Sequence, residues 1–277
     1  MTAPVAYAGE PGAFAEDAVL ALYGDAAPRL PVGGFRQVFE AVTSDAASAG
    51  VVPIENLVNG SVREVYDLLL EHQLVITAEV VVPVQLCLAA LPGGKLDEIE
   101  RVYSHLQALG QAERFLRTRP WALLTTYNTA GAGRFIKEQG DGAAAAVLSR
   151  RAASELGLDV LADRIQDVAD NRTRFLVIAR AGEAPAVDPK TAYRTTIAFG
   201  VRNEPGTLLA ALQVFAGRSI NLSKLESRPS RAAAWEYVFW TDLDAHAEAP
   251  ECAVALEELG AVATMVRVLG TYPRATS

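Results

Sequence analysis

The chain has 277 residues, of which 51% are hydrophobic and 21% are charged, so it is long enough for two modest globular domains. Its formal net charge of −8 disfavours a nucleic-acid partner, because nucleic-acid-binding surfaces carry basic stripes. No apolar run approaches the roughly 20 residues that a membrane-spanning helix needs, so we expect no membrane partner.

Metal, thiol and targeting signals are sparse. Cys87 and Cys252 lie far apart in apolar stretches, and the three histidines form no cluster with them. We therefore expect two buried thiols in a reducing compartment and no metal site. The N-terminus shows no basic segment followed by an apolar one, so we expect no signal peptide and a cytoplasmic protein.

The first 180 residues alternate short apolar strands with helical stretches, which predicts an α/β fold with a largely parallel sheet. Gly24 is a plausible helix C-terminus, and Ser61 is a plausible helix N-cap. In chain order we predict a strand at 5–7, a helix at 14–23, a strand at 50–54, a helix at 62–71, a β-rich run at 74–90 interrupted by Pro83, and strands at 102–104, 123–125 and 144–148.

The segment 181–189 contains two prolines and one glycine without any periodic pattern, which is typical of a linker. The pattern that follows has the order βαββαβ, which is that of a ferredoxin-like unit. Its predicted elements are a strand at 195–201, a helix at 205–217, strands at 222–227 and 235–243, a helix at 250–259 and a strand at 262–269.

Four polar segments stand at the ends of predicted strands: Gly9–Phe14, Val52–Asn56, Tyr103–Gln107 and Thr173–Phe175. Ligands of open α/β sheets bind in the crevice beyond the strand ends, so we expect these segments to surround one ligand. The glycines of the first segment allow backbone N–H groups to approach a carboxylate. The adjacent serine and histidine of the third segment point apart, so we do not expect a nucleophilic dyad.

In this order the segments resemble the motifs of the prephenate dehydratase family, and two later segments resemble its amino-acid-sensing ACT domain. The chain departs from the family's usual residues at Ala13, Ala15, Leu57 and Leu106. The matching motifs are Gly9-x-x-Gly12-x-Phe14, Pro53-x-Glu55-Asn56 with Gly60-Ser61, Ser104-His105-x-Gln107, Thr173-Arg174-Phe175, Asn203–Leu209 and Leu222–Pro229.

The resemblance implies a two-lobed α/β catalytic domain over residues 1–181 that is similar to type II periplasmic binding proteins. One lobe would comprise about 1–78 plus 161–181, and the other about 79–160. A linker at 182–193 and a ferredoxin-like ACT regulatory domain at 194–277 would follow.

The family converts prephenate to phenylpyruvate in L-phenylalanine biosynthesis, with loss of carbon dioxide and water and without a cofactor. The resemblance implies that Thr173 donates a hydrogen bond or proton to the departing hydroxyl. Arg174 would bind a substrate carboxylate as a fork, and Glu55 would orient Asn56 or an arginine. The implied substrate-binding residues are Gly12, Glu55, Asn56, Ser104, Gln107, Arg174 and Phe175.

The ACT resemblance implies that L-phenylalanine binds between two paired ACT domains and lowers activity. The chain would then form a homo-oligomer, either a dimer or a tetramer. The implied phenylalanine-binding residues are Pro205, Gly206, Thr207, Leu208, Asn221, Leu222, Glu226, Ser227 and Arg228.

Two alternatives stay open. An arogenate dehydratase would use nearly the same parts on a substrate with an amino group in place of the keto group. A non-catalytic small-molecule-binding protein would share the two-lobed fold, although the motif at Thr173 speaks against mere binding.

Overall fold

The computed structural model describes residues 3–182, 188, 190–229 and 237–275. The chain divides into two compact units, the first with residues up to 72 and 80–176, the second with 73–79 and the residues from 177 onward. The division falls inside two strands, so it does not coincide with the predicted domain limit at residue 181. The predicted domain and lobe limits stay a prediction.

The predicted elements are present among the described residues, with ends shifted by a few positions. Trp235, the predicted start of one strand, lies outside the described residues, as does most of the predicted linker. The strands are β1 (Val5–Ala8), β2 (Arg29–Val32), β3 (Ala49–Asn56), β4 (Gly60–Ser61), β5 (Leu74–Pro83), β6 (Cys87–Ala90), β7 (Arg101–Ser104), β8 (Ala122–Thr125), β9 (Ala144–Leu148), β10 (Asp159–Ala162), β11 (Arg172–Arg180), β12 (Tyr193–Val201), β13 (Leu222–Pro229), β14 (Tyr237–Leu243) and β15 (Met265–Pro273).

The helices include one short 3₁₀ turn at Leu96–Glu98. The α-helices are α1 (Phe14–Tyr23), α2 (Phe35–Thr43), α3 (Arg63–Glu71), α4 (Leu106–Gln111), α5 (Glu113–Leu116), α6 (Thr129–Gln139), α7 (Arg150–Leu156), α8 (Thr207–Ala216) and α9 (Pro250–Val262).

Two sheets organise the part of the chain before the linker. The first has the order β2-β1-β3-β11-β5 with β4 attached to β3, and the second has the order β10-β6-β9-β7-β8. Parallel pairs join β1 to β2 and β3, and β7 to β8 and β9. The α/β class is thus confirmed, but β6 runs antiparallel to β9 and β10, so the second sheet is mixed.

The sequence predicted the residues at two helix ends, and the structure agrees with one of these predictions and contradicts the other. Helix α1 ends at Gly24, which has φ +74° and donates its N–H to the carbonyl of Leu20, as predicted. The N-cap prediction for Ser61 is wrong, because α3 begins at Arg63 and has no side-chain cap. Ser61 instead lies in β4, where it pairs with Glu55.

The second unit contains a four-stranded antiparallel sheet with the order β13-β14-β12-β15, and α8 and α9 supply residues to its core. Its element order βαββαβ is the predicted ferredoxin-like arrangement. The last strand starts at Met265 and not at Val262, because α9 continues to that residue.

A buried ion pair lies inside the second unit. Arg194 Nη1 is 2.7 and 2.6 Å from the two carboxylate oxygens of Glu79, and one of these oxygens also accepts the Ala275 N–H at 2.9 Å. The Glu79 side chain is 1% exposed. A Cβ on Gly270 would collide with the backbone of Ile76, so the first half of β5 packs directly on β15.

Candidate active site

A cavity of about 610 Å³ lies in the first unit, at the ends of strands in both of its sheets. The first turns of five helices reach it, and each presents backbone N–H groups that have no partner within the helix. These lining residues are Ala13 and Phe14 of α1, Gly34 and Phe35 of α2, Val62 and Arg63 of α3, His105 and Gln107 of α4, and Asn128 and Thr129 of α6. Helix N-termini carry a partial positive charge, so the cavity favours an anion although the chain is acidic.

Thr173 and Asn56 form the polar centre of this cavity. Asn56 Nδ2 lies 2.9 Å from Thr173 Oγ1, 2.9 Å from Asn171 Oδ1 and 3.1 Å from the Arg172 carbonyl oxygen, and these three acceptors share its two N–H groups. Because the Thr173 oxygen accepts this bond, its own proton is free to be donated. No acceptor for that proton is present among the described residues, so it is available to a ligand.

The amide oxygen of Asn56 is fixed as firmly as its nitrogen. It accepts the N–H groups of Val58 and Asn59 at 3.0 Å each. Gln111 Nε2 lies 3.5 Å from the same oxygen. These bonds settle the amide orientation, and Asn56 therefore presents its NH₂ group to Thr173.

Strand alternation separates Thr173 from Arg174. Thr173 and Phe175 line the cavity, whereas the intervening Arg174 does not, since successive side chains of a strand point to opposite faces. Arg174 is buried, and its Nε lies 2.8 Å from Glu55 Oε1. This placement differs from the predicted carboxylate fork, and the ion pair fits the prediction that Glu55 orients an arginine.

Gly12 does not line the cavity, although its neighbours Gly9, Ala13 and Phe14 do. Its N–H donates to Glu16 Oε2 at 2.7 Å, so this group is not free for a substrate carboxylate. Burial alone would raise the pKa of Glu16, but the bonds from Gly12 and Arg151 hold that pKa below its ordinary value. The carboxylate of Glu16 is therefore charged and structural.

The third motif contributes Gln107 and His105 but not Ser104. Ser104 is fully buried and donates its hydroxyl to the Val147 carbonyl at 2.6 Å, so it does not reach the cavity. The His105 Nδ1 accepts the Gln107 N–H at 3.4 Å and thereby caps α4. Burial lowers the pKa of His105, which favours its neutral form. The serine and histidine form no dyad, in line with the sequence interpretation.

Two residues that line the cavity, Gln111 and Arg63, belong to none of the sequence motifs. Gln111 is 9% exposed and follows Gln107 by four positions, so helical periodicity places both on one face of α4. Arg63 carries the only Lys or Arg side chain that lines the cavity among the described residues. Arg63 has no hydrogen bond or ion pair with any other described residue. No local sequence pattern identifies it as a cavity residue.

The departures from the family motifs fall outside the cavity or on its apolar wall. Leu57 and Leu106 are 68% and 67% exposed and do not line it. Ala13 and Ala15 do line it, and each contributes a methyl group where a hydroxyl is usual. The polar centre at Asn56 is unaffected by all four.

The predicted phenylalanine-binding residues occupy two segments of the second unit. Gly206 has φ +87° and immediately precedes α8, while Thr207 Oγ1 lies 2.6 and 2.9 Å from the carbonyl oxygens of Arg202 and Glu204, which share its one proton. Pro205 precedes this turn, and Leu208 packs against the core of the unit. The exposed helix start suits a carboxylate, whereas the Thr207 hydroxyl is used by the turn itself.

The second segment is the edge strand β13. Leu222, Glu226, Ser227 and Arg228 lie along it with alternating burial, and Leu222 packs against the core. Asn221 Nδ2, just before the strand, donates to Asp244 Oδ2 at 2.7 Å. An edge strand can pair with a second copy, as the predicted ACT pairing requires.

The described residues contain neither a metal-binding cluster nor a membrane-spanning helix. No group of three His, Cys, Asp or Glu side chains there is arranged to hold a metal ion. No helix there is long and apolar enough to cross a membrane.

The fold and cavity together define an α/β protein with an anion-favouring cavity at its strand ends and a ferredoxin-like second unit. The family model for prephenate dehydratase matches residues 5–183, and the model for the ACT domain matches residues 195–261. The chain therefore belongs to the prephenate dehydratase family.

Named relatives cover nearly the whole chain. The bifunctional chorismate mutase/prephenate dehydratase of Aquifex aeolicus is 40% identical over 98% of this chain and 74% of its own length. The arogenate dehydratase/prephenate dehydratase 1 of Arabidopsis thaliana is 39% identical over 97% of this chain and 71% of its own length. The solved prephenate dehydratase of Arthrobacter aurescens in complex with L-Phe has a TM-score of 0.90 and 33% identity, covering 98% and 90% of the two chains.

Proposed function

We propose that this chain converts prephenate to phenylpyruvate in L-phenylalanine biosynthesis, as a carbon–oxygen lyase that uses no cofactor. The observation that carries the proposal is the 2.9 Å bond from Asn56 to Thr173, which leaves the threonine proton facing an anion-favouring cavity. Family membership and the names of the relatives support the same reaction.

The reaction needs a leaving hydroxyl to be protonated. The ring carboxylate departs as carbon dioxide, its bonding electrons enter the ring, and the ring C–O bond breaks as the hydroxyl takes a proton and leaves as water. Thr173 donates its proton to that oxygen through their hydrogen bond, and solvent returns a proton to the threonine oxygen once water has left. A threonine hydroxyl is a weak acid, so it acts by position, an effect on the order of 10²–10³-fold for one donor.

The two substrate carboxylates need positive potential in an acidic protein. The five helix starts supply it, and Arg63 adds one formal charge at the wall of the cavity. Gln107 and Gln111 offer amide donors to the remaining oxygens. Arg174 and Glu55 neutralise each other and hold the strands that carry Thr173 and Asn56.

Replacement of Thr173 tests the proposal. Thr173→Val removes the hydroxyl at nearly constant shape, and Asn56 keeps two other acceptors, so folding is expected to persist. Turnover should fall by about 10²–10³-fold, whereas Thr173→Ser should retain a larger part of it. The control Thr118→Val removes an exposed hydroxyl from a helix end. Near-normal turnover of the valine variant would refute the assignment.

Regulation by L-phenylalanine through the ACT domain belongs to the same proposal. The solved relative with bound L-Phe and the ACT match at 195–261 support it. We propose a homo-oligomer, dimer or tetramer, in which paired ACT domains hold the ligand and favour a less active arrangement. Titration calorimetry should show L-phenylalanine binding to the full chain, and absence of binding heat would contradict this part.

Two further expectations concern the location of the protein and its substrate. The buried free thiols Cys87 and Cys252 support the predicted cytoplasmic location. Several relatives are named arogenate dehydratases, so arogenate is the second candidate substrate. Initial rates with prephenate and arogenate, measured side by side on the same preparation, decide between the two.

A further inference from the structure

The loop between β1 and α1 is attached to the other sheet of the first unit. Phe14 packs against the hydrophobic core of the second sheet. Glu10 accepts a hydrogen bond from Tyr127, which lies just before α6. Its Oε2 also lies 2.8 Å from Nη2 of Arg134, which belongs to α6. The loop lines the cavity, so what holds the loop also holds the cavity wall.

Arg151 on α7 makes the densest set of these contacts. Its Nε lies 2.5 Å from Asp17 Oδ1, its Nη1 lies 2.8 Å from Glu16 Oε2, and its Nη2 lies 3.2 Å from the Ala13 carbonyl oxygen. A fourth bond reaches Glu155 within its own helix at 2.6 Å. One guanidinium thus holds three groups at the first turn of α1.

Glu16 links Gly12 to Arg151. The buried Glu16 carboxylate that Arg151 holds also accepts the Gly12 N–H at 2.7 Å, and Ser149 Oγ donates to the Gly12 carbonyl at 2.9 Å. Gly12 has φ +89°, and a Cβ there would lie 2.6 Å from the Cβ of Ala152. Both polar backbone groups of Gly12 are therefore held, and the loop touches α7 without a gap.

We propose that Arg151 is a positioning residue for the reaction: acting through Glu16 and Gly12, it fixes the part of the cavity wall formed by Gly9 and Ala13–Ala15 and aims the N-terminus of α1 at the substrate. Arg151 does not line the cavity, so it acts without touching the substrate. The kinetic consequence rests on the function proposed above, whereas the anchorage of the loop does not.

The test compares Arg151→Met and Glu16→Gln with the wild-type full chain. The matched control is Arg150→Gln, because Arg150 is the adjacent arginine and forms an exposed ion pair with Asp163. Both test variants should raise the KM for prephenate by about tenfold, as expected when one helix N-terminus no longer faces an anion. The kcat should change by less than about twofold, since Thr173 and Asn56 are untouched.

Hydrogen–deuterium exchange of the 9–17 segment provides the second measurement. Exchange there should accelerate in both test variants and not in Arg150→Gln. Unchanged exchange, or faster exchange with an unchanged KM, overturns the positioning role. If the methionine variant does not fold, the isosteric Glu16→Gln decides alone. A wild-type chain without turnover would refute the proposed function, while the exchange result would still decide whether Arg151 anchors the loop.

Discussion

Removal of either partner of the buried Glu79–Arg194 pair should strongly destabilise the second unit. Glu79 is 1% exposed and Arg194 is 11% exposed, so a single Glu79→Met or Arg194→Met leaves the other charge desolvated. Breaking such a pair costs about 3–5 kcal/mol of unfolding free energy. At a minimum of about 4 °C per kcal/mol for a domain of this size, the unfolding midpoint should fall by about 12 °C or more.

The surroundings make the two single variants unequal. Without Glu79, Arg194 retains Asp242 and Asp244 at 4.0 and 3.9 Å, so this variant should lie at the lower end of the range. Without Arg194, the Glu79 carboxylate loses the contacts of both its oxygens to the guanidinium, and Asp242 and Asp244 lose the same cation. Arg194→Met should therefore be the more destabilising change.

Urea unfolding of the two single variants and of the double variant Glu79→Met/Arg194→Met measures the coupling. The double variant should lie closer to the wild type than either single one, because neither member of the Glu79–Arg194 pair is left buried without the other. The exposed pair Arg36–Glu71 serves as control, and its disruption should leave the midpoint unchanged. Additive losses in the double variant would refute the reasoning about burial.

Two further predictions concern the cavity. Arg63→Gln should raise the KM for prephenate about tenfold with little change in kcat, because the variant removes one formal charge that faces the substrate; an unchanged KM in steady-state kinetics would contradict this role. For His105, burial lowers the folded-state pKa, so the neutral cap is complete above the ordinary value near 6.5 and is lost as pH falls through the lowered value. A profile of kcat/KM against pH should show a loss of activity at low pH in the wild type. The loss should be smaller in His105→Asn, because asparagine caps the helix without titrating. Identical profiles would show that protonation of His105 does not cause the loss.

Much of the fold followed from the sequence because its signals are local. Helical spacing and a terminal glycine located α1, and apolar runs located most strands. The Ser61 cap failed because a two-residue pairing with Glu55 competes with the helix start, and such a pairing leaves no trace in a single sequence.

The structure departs from the expected site where strand register decides the direction of a side chain. The sequence analysis puts Thr173–Phe175 at a strand end, whereas the whole motif lies inside β11, which begins at Arg172, so alternation sends Arg174 to the opposite face. The position of Gln111 in the cavity could have been predicted from its four-residue spacing to Gln107. The bond from Arg151 to Glu16 spans 135 positions, and no local pattern encodes a contact of that range.

The positive potential of the cavity comes largely from peptide groups, which neither titrate nor vary with side-chain identity. An anion-binding field of this origin persists through changes in surface composition, so the chain can carry a formal charge of −8 without repelling its substrate. Substitution of charged side chains that neither line the cavity, as Arg63 and Glu64 do, nor hold the start of α1, as Arg151 and Glu16 do, should therefore leave the field nearly intact. Altered backbone direction at a helix start is the change that would weaken it.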